Sequence, residues 1–215
     1  MSVAAGARVC VLGAGRGSAE LIDLLADGGV DVVALDDQHP AGPHAVAGAP
    51  VVGALSAAVA EAAKGRTVLS GIANSRSMGI RLAIVDKLAA LGLRPDAWGS
   101  FVHESARVSR RASIGKGAII YPGVQIAVDA RVDEHALVYF NTVVHHDAVV
   151  ERGAILCAGV LLAGHVKVGA AAYLGVGAVV RDGVTVGARA LVGMGAVVTS
   201  DVPAGAVVKG VPARG

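Results

Sequence analysis

The chain has 215 residues, 54% hydrophobic but only 3% aromatic, with a formal net charge of +2. So apolar a composition excludes a disordered chain. A near-neutral balance with few rings excludes the basic, stacking surfaces that hold nucleic acid, and no stretch carries the roughly 18 apolar residues of a membrane span.

In chain order, Arg8 to Leu12 is a short apolar run closed by the turn Gly13-Ala14-Gly15-Arg16-Gly17-Ser18. The run ends in a turn rather than a cleavage site, so no signal peptide is read. Cys10 and Cys157 make no metal-ligand spacing, which fits a reducing cytoplasm. A helical pattern follows the turn, with Leu21, Ile22, Leu24 and Leu25 on one face and Gly28-Gly29 as its stop. Val30 to Leu35 reads as a second strand ending in Asp36-Asp37, and Pro50-Val51-Val52 precedes a helix over Ala54 to Ala63. A strand over Thr67 to Ile72 leads into Ala73-Asn74-Ser75, then a helix from Met78 to Leu91 with Ile80, Ile84, Leu88 and Leu91 on one face. Strands alternating with helices imply a parallel sheet, here a small Rossmann-like α/β domain.

From Phe101 the period changes. Stepping by six from Val102 to Val198 meets 17 positions, all Val, Ile or Leu, and the residue two before each is Ala in 11 of them. One six-residue unit cannot bury its apolar side chain alone, but stacked units form a continuous column, the signature of a parallel β-helix. Three units make a triangular coil, so residues 18 apart in sequence stack on adjacent coils. His146 therefore stacks on Gly164, with neighbouring strands about 4.8 Å apart. A base beside an unobstructed backbone amide suits acyl transfer, the amide meeting the developing oxyanion. Asp147 follows His146 directly. On an extended strand the two side chains would point apart, whereas at a prism corner the carboxylate can reach Nδ1; the sequence leaves both open.

The Gly13 to Ser18 turn lacks the third glycine of a dinucleotide fingerprint. Backbone amides at a helix start favour a phosphate, so a phosphate-bearing ligand suits it better than a redox cofactor. Gly13, Gly15, Arg16, Gly17, Asp36, Asp37 and Asn74 all fall at the C-terminal ends of expected strands, where open parallel sheets bind ligands.

Hexapeptide repeats of this form resemble those of left-handed β-helix acyltransferases. The segments His145-His146-Asp147, Ala163-Gly164-His165-Val166-Lys167-Val168-Gly169 and Val208-Lys209-Gly210-Val211-Pro212-Ala213 sharpen the likeness. They look like the sialic acid O-acetyltransferase and nucleotide-amino-sugar N-acetyltransferase family, whose members place a Rossmann-like domain ahead of the β-helix. The resemblance implies left-handed coiling, a nucleotide-sugar-binding domain over residues 1–98 and an acetyltransferase domain with a C-terminal tail over 99–215. It implies His146 as general base with Asp147 beside it, and the Gly164 amide as oxyanion donor. It further implies a homotrimer with acetyl-CoA between adjacent helices. Small residues at Gly175, Gly177, Gly193 and Gly195, with His165, Lys209 and Pro212, are then expected along the coenzyme.

Three positions depart from the family pattern. The usual turn reads G-x-G-G-H-[GA], and here Arg16 and Gly17 stand in place of the Gly and His. Ile155 replaces a His that some relatives carry nine residues after the base, and Tyr139 replaces an Asn seven before it. Some β-helix proteins are three-His zinc carbonic anhydrases. The spacings of His135, His145, His146 and His165 do not reproduce that pattern, so no metal is expected.

The expected activity is acetyl-CoA-dependent N-acetylation of a nucleotide-linked amino-dideoxy sugar, of the GDP-perosamine or UDP-4-amino-sugar type. O-acetylation of a sialic acid-type hydroxyl and a non-catalytic nucleotide-binding scaffold are the alternatives, separated by amine-against-hydroxyl activity and by CoA binding.

Overall fold

A computed structural model describes residues 3–39, 45–73 and 79–215. The chain divides into two compact units, one of Met1–Ala73 with Ala83–Ser100, the other of Asn74–Leu82 with Phe101–Gly215. Among the described residues, no helix is long and apolar enough to cross a membrane.

In the first unit β1 (Arg8–Leu12), β2 (Asp31–Leu35), β3 (Ala45–Val46), β4 (Ala49–Gly53) and β5 (Thr67–Ser70) form a sheet of order β3-β4-β2-β1-β5. All pairings are parallel except β3 with β4. Val9, Cys10, Val11 and Leu12 are fully buried, the continuous apolar run of a strand covered on both faces. Helix α1 (Arg16–Asp27) buries Leu21, Ile22 and Leu25. It stops where the Gly28 and Gly29 N–H groups bond back to the Leu24 and Ala26 carbonyls, Gly29 at a φ of +71°.

Strand β3 falls in a stretch that the sequence pattern leaves unassigned, and three expected elements differ in their bounds. The helix expected over Ala54 to Ala63 begins as a tight 3-10 turn, Leu55–Ala57, and becomes α-helical only over α2 (Ala58–Ala63). Its entry is pinned by the Leu55 N–H, which donates to Asp37 Oδ1 at 2.9 Å. The fifth strand ends at Ser70 rather than Ile72, although the Gly71 N–H still bonds to the Leu12 carbonyl. The last helix, α3, covers Ile80–Ala90; Met78 lies outside the described residues. Its buried apolar residues are Ile84, Val85 and Leu88, whereas Ile80 and Leu91 are exposed at 37% and 50%. Leu91 belongs to the terminating turn, where its N–H closes on the Lys87 carbonyl.

The second unit runs through 18 two-residue strands, from β6 (Phe101–Val102) to β23 (Val207–Val208), in three parallel sheets of 6, 5 and 7 strands. These stacked sheets fit a left-handed β-helix. Up to the last coil, each strand pairs with the strand 18 residues on, as Gln125 with Val143 and Val143 with Leu161. Every stepped position from Ile120 to Val198 is buried, together with the small residues two before each. Thr142 is the polar member of that second column; its hydroxyl donates to the Cys157 carbonyl at 3.0 Å, so its burial leaves no unmet donor. Corners are turned by residues with φ near +57°, among them Asp129, His135, Asn141, Asp147, His165 and Arg189, and elsewhere by glycine. The final coil is short: Leu191 pairs with Val207, only 16 residues on. Beyond it the tail doubles back, with Lys209 and Arg214 exchanging backbone hydrogen bonds of 2.9 Å each and the Ala213 N–H reaching the Val197 carbonyl at 2.8 Å.

Candidate active site

One corner of the β-helix lies between β13 (Val143–Val144) and β14 (Val149–Val150) and carries His145, His146 and Asp147. Asp147 adopts a φ of +57°, and this left-handed turn breaks the alternation that would send neighbouring side chains apart. Its Oδ2 lies 2.9 Å from His146 Nδ1. A carboxylate only accepts hydrogen bonds, so Nδ1 carries a proton, and in the neutral imidazole Nε2 is then the nitrogen with the lone pair. The orientation that the sequence left open is thus the one in which Asp147 fixes the tautomer.

One coil on, Gly164 occupies the stacked position. The His165 N–H donates to the His146 carbonyl at 3.0 Å and the Gly183 N–H to the Gly164 carbonyl at 2.9 Å, tying three coils together. The Gly164 N–H makes no hydrogen bond to the described residues. A Cβ built on Gly164 would lie 2.7 Å from His146 Nε2 and 2.8 Å from Asp182 Oδ1, closer than real carbons approach. Only glycine leaves that space beside the imidazole. His165 follows at the same corner, its ring centroid 5.1 Å from that of His146 and its Nδ1 4.0 Å from Asp147 Oδ2. His145 packs edge-on against His146 at 4.6 Å. Below them a groove lined by Arg107, Ser109, Gln125, Val143 and His145 runs over the same sheet.

The residues expected along acetyl-CoA fall into two groups. Gly175, Gly177, Gly193 and Gly195 share another corner of the β-helix, and Lys209 continues that column, its Cβ 3.0 Å from a Cβ built on Gly193. A Cβ on Gly175 would meet the Met194 backbone nitrogen at 2.6 Å, so the coils there pack too closely for a side chain. His165 belongs instead to the corner of His146. Between the two corners runs one apolar sheet face, where Val143, Leu161, Val179 and Val197 point outward and Leu161 is 43% exposed. Pro212 lies in the turn of the tail that joins Lys209 to Arg214.

In the first unit Gly13, Gly15, Arg16, Gly17, Asp36 and Asp37 gather at the C-terminal ends of β1 and β2; Asn74 lies outside the described residues. Asp36 holds the turn closed. Its Oδ2 accepts from the Ala14 N–H at 2.7 Å, and its Oδ1 accepts from the Gln38 N–H at 2.7 Å and from His39. Burial pulls the Asp36 carboxyl upward, but these hydrogen bonds together outweigh it and hold the group below its ordinary pKa. Asp37 is likewise engaged by the Leu55 N–H. Gly15 and Arg16 remain exposed at the start of α1.

Neither cysteine is an activated nucleophile. Burial pushes the Cys10 thiol up to about 12, and burial also raises Cys157 against a hydrogen bond from Tyr173. Sequence reasoning missed Arg81, which is 1% exposed and donates from Nε to the His135 carbonyl at 2.6 Å. Burial lowers its guanidinium to about 10, opposed by Tyr139 and Tyr121, so it stays charged at neutral pH. No motif marks it, because it sits beside Ile80 in an otherwise ordinary helical pattern.

No family model matches the chain, and no match is found among curated proteins. Solved structures do match it. A histidine-to-alanine variant of GDP-perosamine N-acetyltransferase from Caulobacter crescentus, in complex with CoA and GDP-perosamine, is 32% identical with a TM-score of 0.86, covering 100% of this chain and 98% of its own. The acetyltransferase domain of PglB from Neisseria gonorrhoeae, in complex with acetyl coenzyme A, is 29% identical with a TM-score of 0.83, covering 96% and 98%. WeeI from Acinetobacter baumannii is 25% identical with a TM-score of 0.83, covering 97% and 99%. Likeness of this degree along the whole chain makes the protein a member of the nucleotide-amino-sugar N-acetyltransferase family of acetyl-CoA-dependent, hexapeptide-repeat β-helix enzymes.

Proposed function

We propose that the protein transfers the acetyl group of acetyl-CoA to the amino group of a nucleotide-linked 4-amino-dideoxy sugar, of the GDP-perosamine or UDP-amino-sugar type. The observation that carries this reading is the His146 Nε2 lone pair facing the space beside Gly164, in a chain similar throughout to one crystallised with CoA and GDP-perosamine. In that neighbour both ligands are bound although a histidine has been replaced, as expected where a base makes little ground-state contact.

The sugar amine attacks the thioester carbonyl. His146 Nε2 takes the amine proton as the new C–N bond forms, and the Gly164 N–H meets the carbonyl oxygen as it becomes an oxyanion. Collapse breaks the C–S bond, and the proton passes from His146 to the departing thiolate of CoA. Asp147 accepts from Nδ1 throughout, which keeps the accepting nitrogen at Nε2 and stabilises the imidazolium between the two transfers. Transfer is direct, since neither buried thiol is placed to carry an acyl group.

The apolar face between the His146 corner and the Gly175–Gly193 corner is assigned to the pantetheine arm, with His165, Gly177, Gly195, Lys209 and Pro212 at its borders. The turn of Gly13, Gly15, Arg16 and Gly17 at the start of α1, where Gly15 and Arg16 are exposed, is assigned to the nucleotide diphosphate, in a nucleotide-sugar-binding domain of residues 1–98. Asp36 serves by holding that turn in place. The exposed apolar residues Leu161, Val176 and Met194 favour a homotrimer in which a neighbouring subunit covers this face.

The test is acetylation of GDP-perosamine and of a UDP-4-amino-4,6-dideoxy sugar, each beside its 4-hydroxy counterpart, with product read by mass. An acetyl group gained by an amino sugar and not by its hydroxyl counterpart is the expected result. Transfer to the hydroxyl sugars alone would make the enzyme an O-acetyltransferase, and CoA binding without transfer would leave a scaffold.

A further inference from the structure

His146, Asp147 and His165 each offer one ligand atom, and these atoms all lie within 4.8 Å of one another. Asp147 stands between the two rings, its Oδ2 at 2.9 Å from His146 Nδ1 and at 4.0 Å from His165 Nδ1. Tetrahedral zinc, with nitrogen and oxygen ligands at about 2.0–2.2 Å, needs ligand atoms roughly 3.4 Å apart. The two separations from Asp147 bracket that value and the ligand atoms of the two imidazoles lie within 4.8 Å of each other, so the exposed side chains must draw together to close on an ion. The side chains of His146, Asp147 and His165 are 38%, 45% and 60% exposed, so a hydrated ion has access and a fourth position stays open to water. Two neutral imidazoles and one carboxylate are a ligand set that suits Zn²⁺ and disfavours Mg²⁺ and Ca²⁺, which take oxygen.

We infer that this corner is a regulatory transition-metal site, and that Zn²⁺ bound there switches the base off. The metal would bind His146 through Nδ1, the ring nitrogen that lies beside Asp147. Nδ1 must then give up the proton it now donates to Asp147, and the same proton moves to Nε2. The imidazole stays neutral and no proton is lost overall, but the nitrogen that faces the acceptor becomes a donor. Inhibition therefore arises by inverting the tautomer rather than by occupying the place of the amino sugar. It appears as a fall in kcat with KM for the amino sugar unchanged, and any rise in KM for acetyl-CoA comes from His165, which borders the face assigned to the coenzyme. The inhibitory half of this inference rests on the function proposed above; the metal site itself does not.

The experiment titrates the full chain with Zn²⁺ alone by calorimetry, and with Co²⁺ alone by visible absorption, whose band intensity reports tetrahedral coordination. One ion per chain is expected. Asp147→Asn and His165→Asn should each weaken binding by at least about tenfold, since loss of even an outer partner costs that much. Asn tolerates the left-handed backbone of His165, so this variant keeps the fold. His103→Ala, at a different corner, should bind as the wild type does. Wild-type affinity in both corner variants, or no binding to wild type at 10⁻⁴ M on the order of a weak surface site, would overturn the site. Inhibition is read by product mass, because free CoA thiol also binds zinc. Zn²⁺ that binds at the corner yet leaves kcat unchanged, or raises KM for the amino sugar, would overturn the tautomer mechanism, and a chain that binds zinc but acetylates nothing would overturn the proposed function while leaving the site intact.

Discussion

At the residue scale the proposed chemistry rests on three groups: His146 Nε2 as base, Nδ1 held by Asp147 at 2.9 Å, and an N–H on Gly164 that the described residues leave unused. Each makes a distinct prediction. His146→Asn should lower kcat by about 10²–10⁴-fold, the usual yield of general-base catalysis, with affinities for CoA and the nucleotide sugar kept in calorimetry. Asp147→Asn should cost about tenfold in kcat, since it orients the ring and takes no proton from substrate. Gly164→Ala tests the space rather than the chemistry. Its Cβ would meet the imidazole and Asp182, so the ring must swing away. A loss of roughly 10²-fold in kcat is expected, with melting temperature and coenzyme affinity near those of wild type. An alanine variant with full turnover would show that the acceptor approaches elsewhere.

At the scale of elements, the repeat is the part most legible in the sequence. A period of six, unbroken to Val198, predicts which residues point inward and which corner residues stack. The structure places His146 against Gly164 as that arithmetic requires. What the period cannot carry is anything set by backbone twist at a corner. Asp147 reaches Nδ1 because its φ is positive, and at that position a non-glycine residue gives no sign of this in the sequence. Nor does the pattern reveal the shortened last coil, which follows the final regular repeat, or Arg81, which donates to the backbone carbonyls of His135 and Gly117, groups that every residue carries and no motif marks. In the α/β unit the acids after the second strand were legible as a turn-end pair. Their engagement with backbone amides depends on a loop path that residue type does not fix. That engagement gives a pH prediction. The folded pKa of Asp36 lies below its unfolded value, so the folded state binds fewer protons and the contribution is fully present above the unfolded pKa, then lost as pH falls through the folded one. Asp36→Asn should lose about 1–2 kcal/mol at neutral pH. It should also show a flatter decline in chemical-denaturation stability than wild type between about pH 5 and about pH 2.

At the scale of the whole molecule, the small side chains on the β-helix surface call for a neighbour. Light scattering is expected to give three chains per particle at assay concentration, and a monomer that turns over at full rate would remove the partner from the site. The tail bears on a different kind of association. A stack of parallel strands ends in a row of unpaired N–H and C=O groups, the template on which further strands add. Here the closing turn is two residues short, and the segment after Val208 folds over it, with Lys209 and Arg214 satisfying each other and Ala213 taking the Val197 carbonyl. The last rung thus presents a lid of mismatched pitch instead of another copy of itself. A chain cut after Pro203 would lose that lid and expose a rung in register with the next molecule's edge. End-to-end polymerisation that rises with concentration, seen as filaments by electron microscopy, is the expected price of losing the tail.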